Sequence, residues 1–163
     1  MSRATDEDHR WLLEAIALSR RCPPTDRAYC VGAIVVTLDG TRVTEGFSRE
    51  NDDPHVHAEE AALGKLDPHT DLSQTTMYSS LEPCSARRSR DRTCTQLILE
   101  SGIRRVVFAL REPPLFGDCE GVELLQAGGI EVVEIAELGP AVEEVNARVL
   151  LPECQKGVDD VGA

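Results

Sequence analysis

The stretch HAEEAALGKLDPHTDLSQTTMYSSLEPCSARRSRDRTC, residues 57–94, decides how the rest of the chain is read. It opens on His57, carries Glu59 two positions on, and reaches Cys84 and Cys94 after Leu81-Glu82-Pro83. One imidazole and two thiolates suit zinc, and three protein ligands leave a fourth position to water, the mark of a catalytic site. Glu59 is placed to move protons beside such a metal without ligating it. His55 is the rival first ligand, but His57 itself stands where its carboxylate partner would have to be. A structural zinc site asks for a fourth ligand, and the neighbouring residues offer poor ones. A metal-free binding domain with unrelated cysteines is the other plain alternative.

Within the stretch, Ala58 to Leu66 is rich in Ala and Leu and ends near Gly64 and Pro68, which predicts a short helix with His57 and Glu59 at its first turn. Thr75 to Leu81 predicts a strand that delivers Cys84 from its end. Toward the N-terminus, Trp11, Leu12, Ala15, Ile16 and Leu18 recur at helical spacing over Asp6 to Arg20, and Pro23-Pro24 ends that helix. Cys30 to Leu38 is a nearly continuous apolar run, expected to be a buried strand. Asp39-Gly40 predicts a two-residue hairpin turn, with Thr41 to Phe47 returning antiparallel. Ser48 to Val56 reads as a polar loop.

Toward the C-terminus the pattern alternates. Asp91 to Ser101 predicts a helix closed by Gly102, Arg105 to Leu110 a strand, Cys119 to Ala127 a helix stopped by Gly128-Gly129, and Ile130 to Ile135 a strand. Leu138 to Leu151 predicts one last helix, and residues 152–163 a loosely held tail. Residues 1–151 then form one domain, a three-layer α/β/α sandwich around a five-stranded mixed sheet with an antiparallel edge. In such sheets ligands gather at the carboxyl ends of the parallel strands, and both halves of the His–Cys–Cys set arrive there.

Composition narrows the partners. The 163 residues carry a net charge of −12, so the basic footprint of a protein gripping a polynucleotide is missing. No apolar run approaches membrane-spanning length and Met1 to Asp8 lacks a signal-like apolar core, which reads as a cytoplasmic chain without a membrane partner. Six cysteines then suggest ligands or free thiols rather than a disulfide framework, with Cys22, Cys30, Cys119 and Cys154 left idle.

His57-Ala58-Glu59 and Pro83-Cys84 match the His-x-Glu and Pro-Cys parts of the signature of zinc deaminases that act on nucleobases. The second cysteine does not follow two residues later, because Ser85 to Thr93 separate Cys84 from Cys94. In that long loop, in Thr76-Met77-Tyr78-Ser79-Ser80-Leu81-Glu82-Pro83-Cys84-Ser85, in Ser101-Gly102-Ile103-Arg104-Arg105-Val106-Val107-Phe108-Ala109, and in Ala127-Gly128-Gly129-Ile130-Glu131-Val132, the chain resembles the deaminase domain of bifunctional riboflavin-biosynthesis enzymes, within the cytidine-deaminase superfamily. The resemblance implies a cytidine-deaminase-like fold, a zinc ion on His57, Cys84 and Cys94 that lowers the pKa of its water toward ~7, and Glu59 as the proton shuttle. It implies a homo-oligomer, a dimer, acting on a small heterocyclic amine.

Further substrate contacts are expected at Ala58, small enough to let a ring approach, and at Glu82, which either orients the amine or caps a helix. Arg88 and Arg90, in Arg87-Arg88-Ser89-Arg90-Asp91-Arg92, either bind a phosphate or pair with surface acids. Phe116 either stacks on the ring or packs its own loop. Three places depart from the riboflavin-pathway pattern: Ala28 where an asparagine contacts the pyrimidine, Ala61 where a second histidine follows the glutamate, and Arg111-Glu112-Pro113-Pro114 in place of Lys/Arg-Asp-Pro-Asn-Pro. The expected substrate is a diaminopyrimidine nucleotide or related pyrimidine. A free nucleobase or nucleoside such as cytosine or guanine, and a non-catalytic zinc-stabilised binding domain, stay open beside it. Glu59 separates the last from the others, since a structural site gains nothing from an acid at that offset.

Overall fold

Every residue from Cys30 to Val36 is buried, so this segment has no solvent face to spare and must lie inside the sheet. The computed structural model describes residues 2–150. It places strand β1 (Gly32–Thr37) between β2 (Arg42–Phe47) and β3 (Thr75–Leu81), followed by β4 (Arg105–Leu110) and β5 (Glu131–Glu134). β1 pairs antiparallel with both neighbours, while β3, β4 and β5 run parallel. The reversed strand is therefore the second one in, and the edge strand β2 points the same way as β3 to β5. That differs from the antiparallel edge expected, because the chain crosses over β1 on its way from β2 to β3.

The turn between β1 and β2 holds three residues rather than two. Thr37 N–H donates to Thr41 O at 2.9 Å and Gly40 N–H to Thr37 O at 3.0 Å, with Gly40 at φ 85°, a left-handed conformation that glycine adopts at little cost. One extra residue in β2 then shifts the register between Val35 and Val36.

Alternation along the strands divides the core. Ile34, Val36, Tyr78, Val107, Ala109 and Val133 face α1 (Asp6–Ser19) and α5 (Gly139–Val145). Val35, Met77, Val106, Phe108 and Val132 face the other layer, α2 (Ala58–Gly64), α3 (Cys94–Ser101) and α4 (Gly121–Ala127). The expected three-layer α/β/α sandwich with a five-stranded mixed sheet is thus the architecture found.

Two helices differ from expectation for local reasons. α3 begins at Cys94 and not at Asp91, because Thr93 and Gln96 close a reciprocal capping box around its first turn. The last helix breaks at Asn146 into α5 and α6 (Ala147–Leu150). The Asn146 side chain there accepts from Cys30 N–H at 2.6 Å and donates to Cys30 O at 3.2 Å, so it serves the strand's entry instead of pointing to solvent. The tail expected at 152–163, and the end of the domain at Leu151, lie outside the described residues. No helix among the described residues is long and apolar enough to cross a membrane.

Candidate active site

The site forms where β2, β3 and β4 end. α2 lies hard against β2 because Gly46 lacks a side chain: a Cβ there would come within 2.5 Å of Ala62 N and 2.6 Å of Ala58 O. This close approach sets His57, the N-cap residue of α2. Cys84 follows the end of β3, and Cys94 opens α3, whose second residue Thr95 donates from its amide to Cys84 O at 3.1 Å. Two separate crossovers therefore converge on one point.

His57 Nδ1 lies 3.5 Å from Cys84 Sγ and 3.3 Å from Cys94 Sγ, and all three ligand atoms fall within 4.8 Å of one another. Ligands on a tetrahedral zinc, at about 2.1 Å for nitrogen and 2.3 Å for sulfur, stand about 3.6 Å apart. The donor set and its spacing fit that ion. The group contains no fourth protein ligand among the described residues. Hydrogen bonding from Cys94, then from His57, outweighs burial and holds the Cys84 thiol well below its usual range, and the same bond pushes Cys94 up. Burial acts to lower the His57 pKa, but the Cys84 sulfur and the Glu59 carboxylate raise it overall.

Glu59 is 3% exposed, and its Oε1 sits 2.8 Å from Ser79 Oγ. Burial raises its pKa, helped by the charge on Cys84. It stands outside the His–Cys–Cys group yet opens on the same cavity, a cleft of about 570 Å³. His57, Cys84, Arg87, Glu112 and Phe116 share its walls. That volume suits a small molecule.

The other expected contacts divide. Glu82 reaches the cavity, but its two oxygens accept from Glu112 N–H at 3.1 Å and Val122 N–H at 3.0 Å, so it caps the start of α4. Ala58 has no exposed surface and packs in the core against β2, away from the cavity walls. Arg90 is drawn off by Asp53 at 2.7 Å and Glu60 at 3.2 Å and does not reach the cavity, while Arg88 is exposed on its rim. Phe116, also exposed, lines the cavity and meets Tyr29 edge to face with ring centroids 5.3 Å apart.

Two cavity residues escaped the sequence reading. The Arg87 side chain is 3% exposed, and its Nη2 donates to His55 O at 2.6 Å and pairs with Glu60 at 3.4 Å. Its Nε and Nη1 are buried and meet no acceptor among the described residues. Four arginines in one loop look alike in sequence, and only the fold selects which one turns inward. Glu112 is pushed up to about 7 by burial, against the Cys119 thiol that lowers it, with Cys84, Glu82 and Glu59 adding to the rise. A sequence signal for it existed, since it holds the acidic place in the loop that resembles Lys/Arg-Asp-Pro-Asn-Pro.

A diaminohydroxyphosphoribosylamino-pyrimidine deaminase of Schizosaccharomyces pombe is 42% identical over 127 residues, covering 76% of this chain and 31% of its own. A riboflavin biosynthesis protein of Aquifex aeolicus is 36% identical, covering 81% and 35%. The chain spans about a third of the length of these curated relatives. Among solved structures, the Thermotoga maritima diaminohydroxyphosphoribosylaminopyrimidine deaminase/5-amino-6-(5-phosphoribosylamino)uracil reductase superposes with a TM-score of 0.76 at 33% identity, over 92% of this chain and 42% of that one. The Aspergillus oryzae Rib2 deaminase in complex with DARIPP gives 0.74 at 26%, over 87% and 91%. The model of one family matches residues 5–110, the span from the cap of α1 to the end of β4 that holds His57, Glu59, Cys84 and Cys94, and the chain belongs to that family, the cytidine and deoxycytidylate deaminase zinc-binding region.

Proposed function

We propose that this chain is a zinc-dependent deaminase that hydrolyses the exocyclic amine of a small pyrimidine bearing a phosphorylated ribosyl arm. The observation that carries the reading is Glu59: a buried carboxylate that belongs to no ion pair among the described residues, stands outside the His57–Cys84–Cys94 group, and faces the same cavity. Zinc, when bound by His57, Cys84 and Cys94, supplies Lewis-acid activation of water at neutral pH. Glu59 would serve as the proton carrier there, moving one proton from the attacking water to the ring nitrogen and a second from the newly added hydroxyl to the leaving amine, so that ammonia departs. Burial, helped by the charge on Cys84, raises its pKa above the ordinary carboxylate value, which makes it the stronger proton acceptor.

The substrate half of the reading rests on Arg87. A buried guanidinium with two donors unmet leaves a place for an anion, and a guanidinium fork matches phosphate. Arg88 on the rim adds positive charge in a chain of net charge −12. The name of the S. pombe relative, a diaminohydroxyphosphoribosylamino-pyrimidine deaminase, supports this reading. A dimeric, cytoplasmic enzyme acting on a small molecule and not on a polynucleotide belongs to the same proposal.

The test is ammonia release by zinc-replete protein from a panel: diaminopyrimidines with and without the phosphoribosyl arm, cytosine, guanine and their nucleosides. The phosphorylated diaminopyrimidine is expected to turn over best. Preference for a free base would overturn the substrate half, and no release from any member would overturn the deaminase reading itself.

A further inference from the structure

On the face of the sheet where α1 packs, two cysteines separated by a Pro23-Pro24 loop come together. Cys22 lies just past α1 and Cys30 just before β1, and they are 4% and 7% exposed. Both sulfurs lie within hydrogen-bonding reach of one nitrogen, Arg49 Nη2, at 2.7 Å from Cys22 Sγ and 3.2 Å from Cys30 Sγ. The rest of the Arg49 guanidinium donates to Pro23 O and to Tyr29 O. A guanidinium over two sulfurs repels a metal cation and favours a thiolate, so this pair is no second metal centre. The hydrogen bond from Cys22, with the charge of Arg49 against the effect of burial, brings the Cys30 thiol down to about 7.

Arg49 is also tied to the substrate cavity. It shares those walls with Tyr29 and Ser48, and its amide donates to Val56 O, one residue before the metal-binding His57. Its own backbone is left-handed at φ 58°, an uncommon conformation for arginine, and Asn51 and Asp52, which enter that region more readily, continue the turn at φ 56° and 61°. On its other side, Cys30 lines a separate cavity of about 220 Å³ with Pro24, Thr25, Asn146 and Arg148.

We propose that Cys22 and Cys30 form a reversible dithiol switch, oxidised to a disulfide by a hydroperoxide, and that Arg49 carries the change to the wall of the substrate cavity. The Cys30 thiolate attacks a peroxide oxygen: an S–O bond forms, the O–O bond breaks, and hydroxide leaves, taking a proton from solvent. Sulfur gives up two electrons and the peroxide gains them. The Cys22 sulfur then attacks the sulfenic sulfur, forming the S–S bond as the S–O bond breaks and water departs with the Cys22 proton. Two thiols and one hydrogen peroxide thus become one disulfide and two waters. The disulfide carries no negative sulfur for Arg49, so the guanidinium keeps only its bonds to Pro23 O and Tyr29 O and the 49–52 turn is held less firmly. A thiol reductant reverses the step.

This inference is independent of the substrate, and its test needs none. Zinc-replete full chain is treated with a few equivalents of hydrogen peroxide, then read by intact mass, non-reducing peptide map, zinc content and amide exchange. Wild type is expected to lose two hydrogens with zinc retained, to show a Cys22–Cys30 crosslink, and to regain its mass with dithiothreitol. Cys30→Ser is expected to lose none, and Cys22→Ser to stop at a sulfenic acid trapped by dimedone. Amide exchange across residues 48–56 is expected to rise several-fold in the oxidised wild type and to stay unchanged in treated Cys30→Ser. A crosslink elsewhere, release of zinc with a Cys84–Cys94 bond, or no mass change overturns the switch. A Cys22–Cys30 bond without altered exchange overturns the role of Arg49.

Discussion

Arg87 shows how one side chain acquires a role that its type alone does not give. Arg88, Arg90 and Arg92 carry the same charge, yet Arg90 is neutralised by Asp53 and Glu60, Arg92 by Glu100, and Arg88 stays in solvent. Arg87 alone is buried with donors to spare, and low-dielectric surroundings make each of its hydrogen bonds count for more. Arg87→Ala is expected to raise KM for the phosphorylated substrate by about tenfold to a hundredfold, the loss of a charge-assisted hydrogen bond, with little effect on an unphosphorylated analogue. Steady-state kinetics on the pair checks this, and equal effects on both would count against phosphate recognition. The meeting of His57, Cys84 and Cys94, with Glu59 on the same cavity, was legible in the sequence because residue type and local offset single those four out. Arg87 was not, since burial depends on the path of the loop. Nor was Ala58's place in the core, because contact with Gly46 arises only once α2 lies on β2.

α1 is joined to the sheet by a charge that periodicity hides. Asp8 caps its own helix with Thr5, and its carboxylate also accepts from Tyr78 Oη at 2.8 Å and from two Arg105 nitrogens at 2.7 and 2.8 Å. Burial alone would raise its pKa, but the hydrogen bonds from Arg105, Thr5 and Tyr78 outweigh this and hold it well below the carboxylate range. Because the folded pKa lies below the unfolded one, about 3.9 for Asp, the stabilisation is complete above that value and is lost as pH falls through the window beneath it. Asp8→Asn is expected to cost on the order of 3 kcal/mol near neutral pH by leaving the partly buried Arg105 with only Glu131, 3.4 Å away, as an acidic partner. Denaturant midpoints from pH 7 down to pH 2 check this: the gap between wild type and variant should narrow below about pH 4. A gap that stays constant would contradict the pairing. Element positions were legible to within a few residues, as α1, β3 and β4 show. The start of α3 was missed although Thr93 and Gln96 spell a capping box. The break at Asn146 was invisible, because its partner Cys30 lies 116 residues away.

At the scale of the whole molecule, the sheet brings three loops to one end. The His57 turn follows β2, the Cys84 loop follows β3, and the Glu112 loop follows β4. β2, β3 and β4 share one direction, so their ends face the same way, and the interior reversal of β1 makes this possible. The layered architecture could be argued from alternating helix and strand signals. The place of β1 could not, since an apolar run says that a strand is buried but not which neighbours flank it. Against a net charge of −12, the loops supply a local cation and an enclosed carboxylate at the strand ends, which suits capture of one small anion. The most direct test of this account is ammonia release from the phosphorylated diaminopyrimidine by wild type and Glu59→Gln, with zinc content measured on the same samples. Both proteins should carry close to one zinc per chain, and the variant should be slower by ~10²-fold or more, the scale of a lost general acid/base. A folded wild type without zinc, or a Glu59→Gln variant that turns over at the wild-type rate, would contradict it.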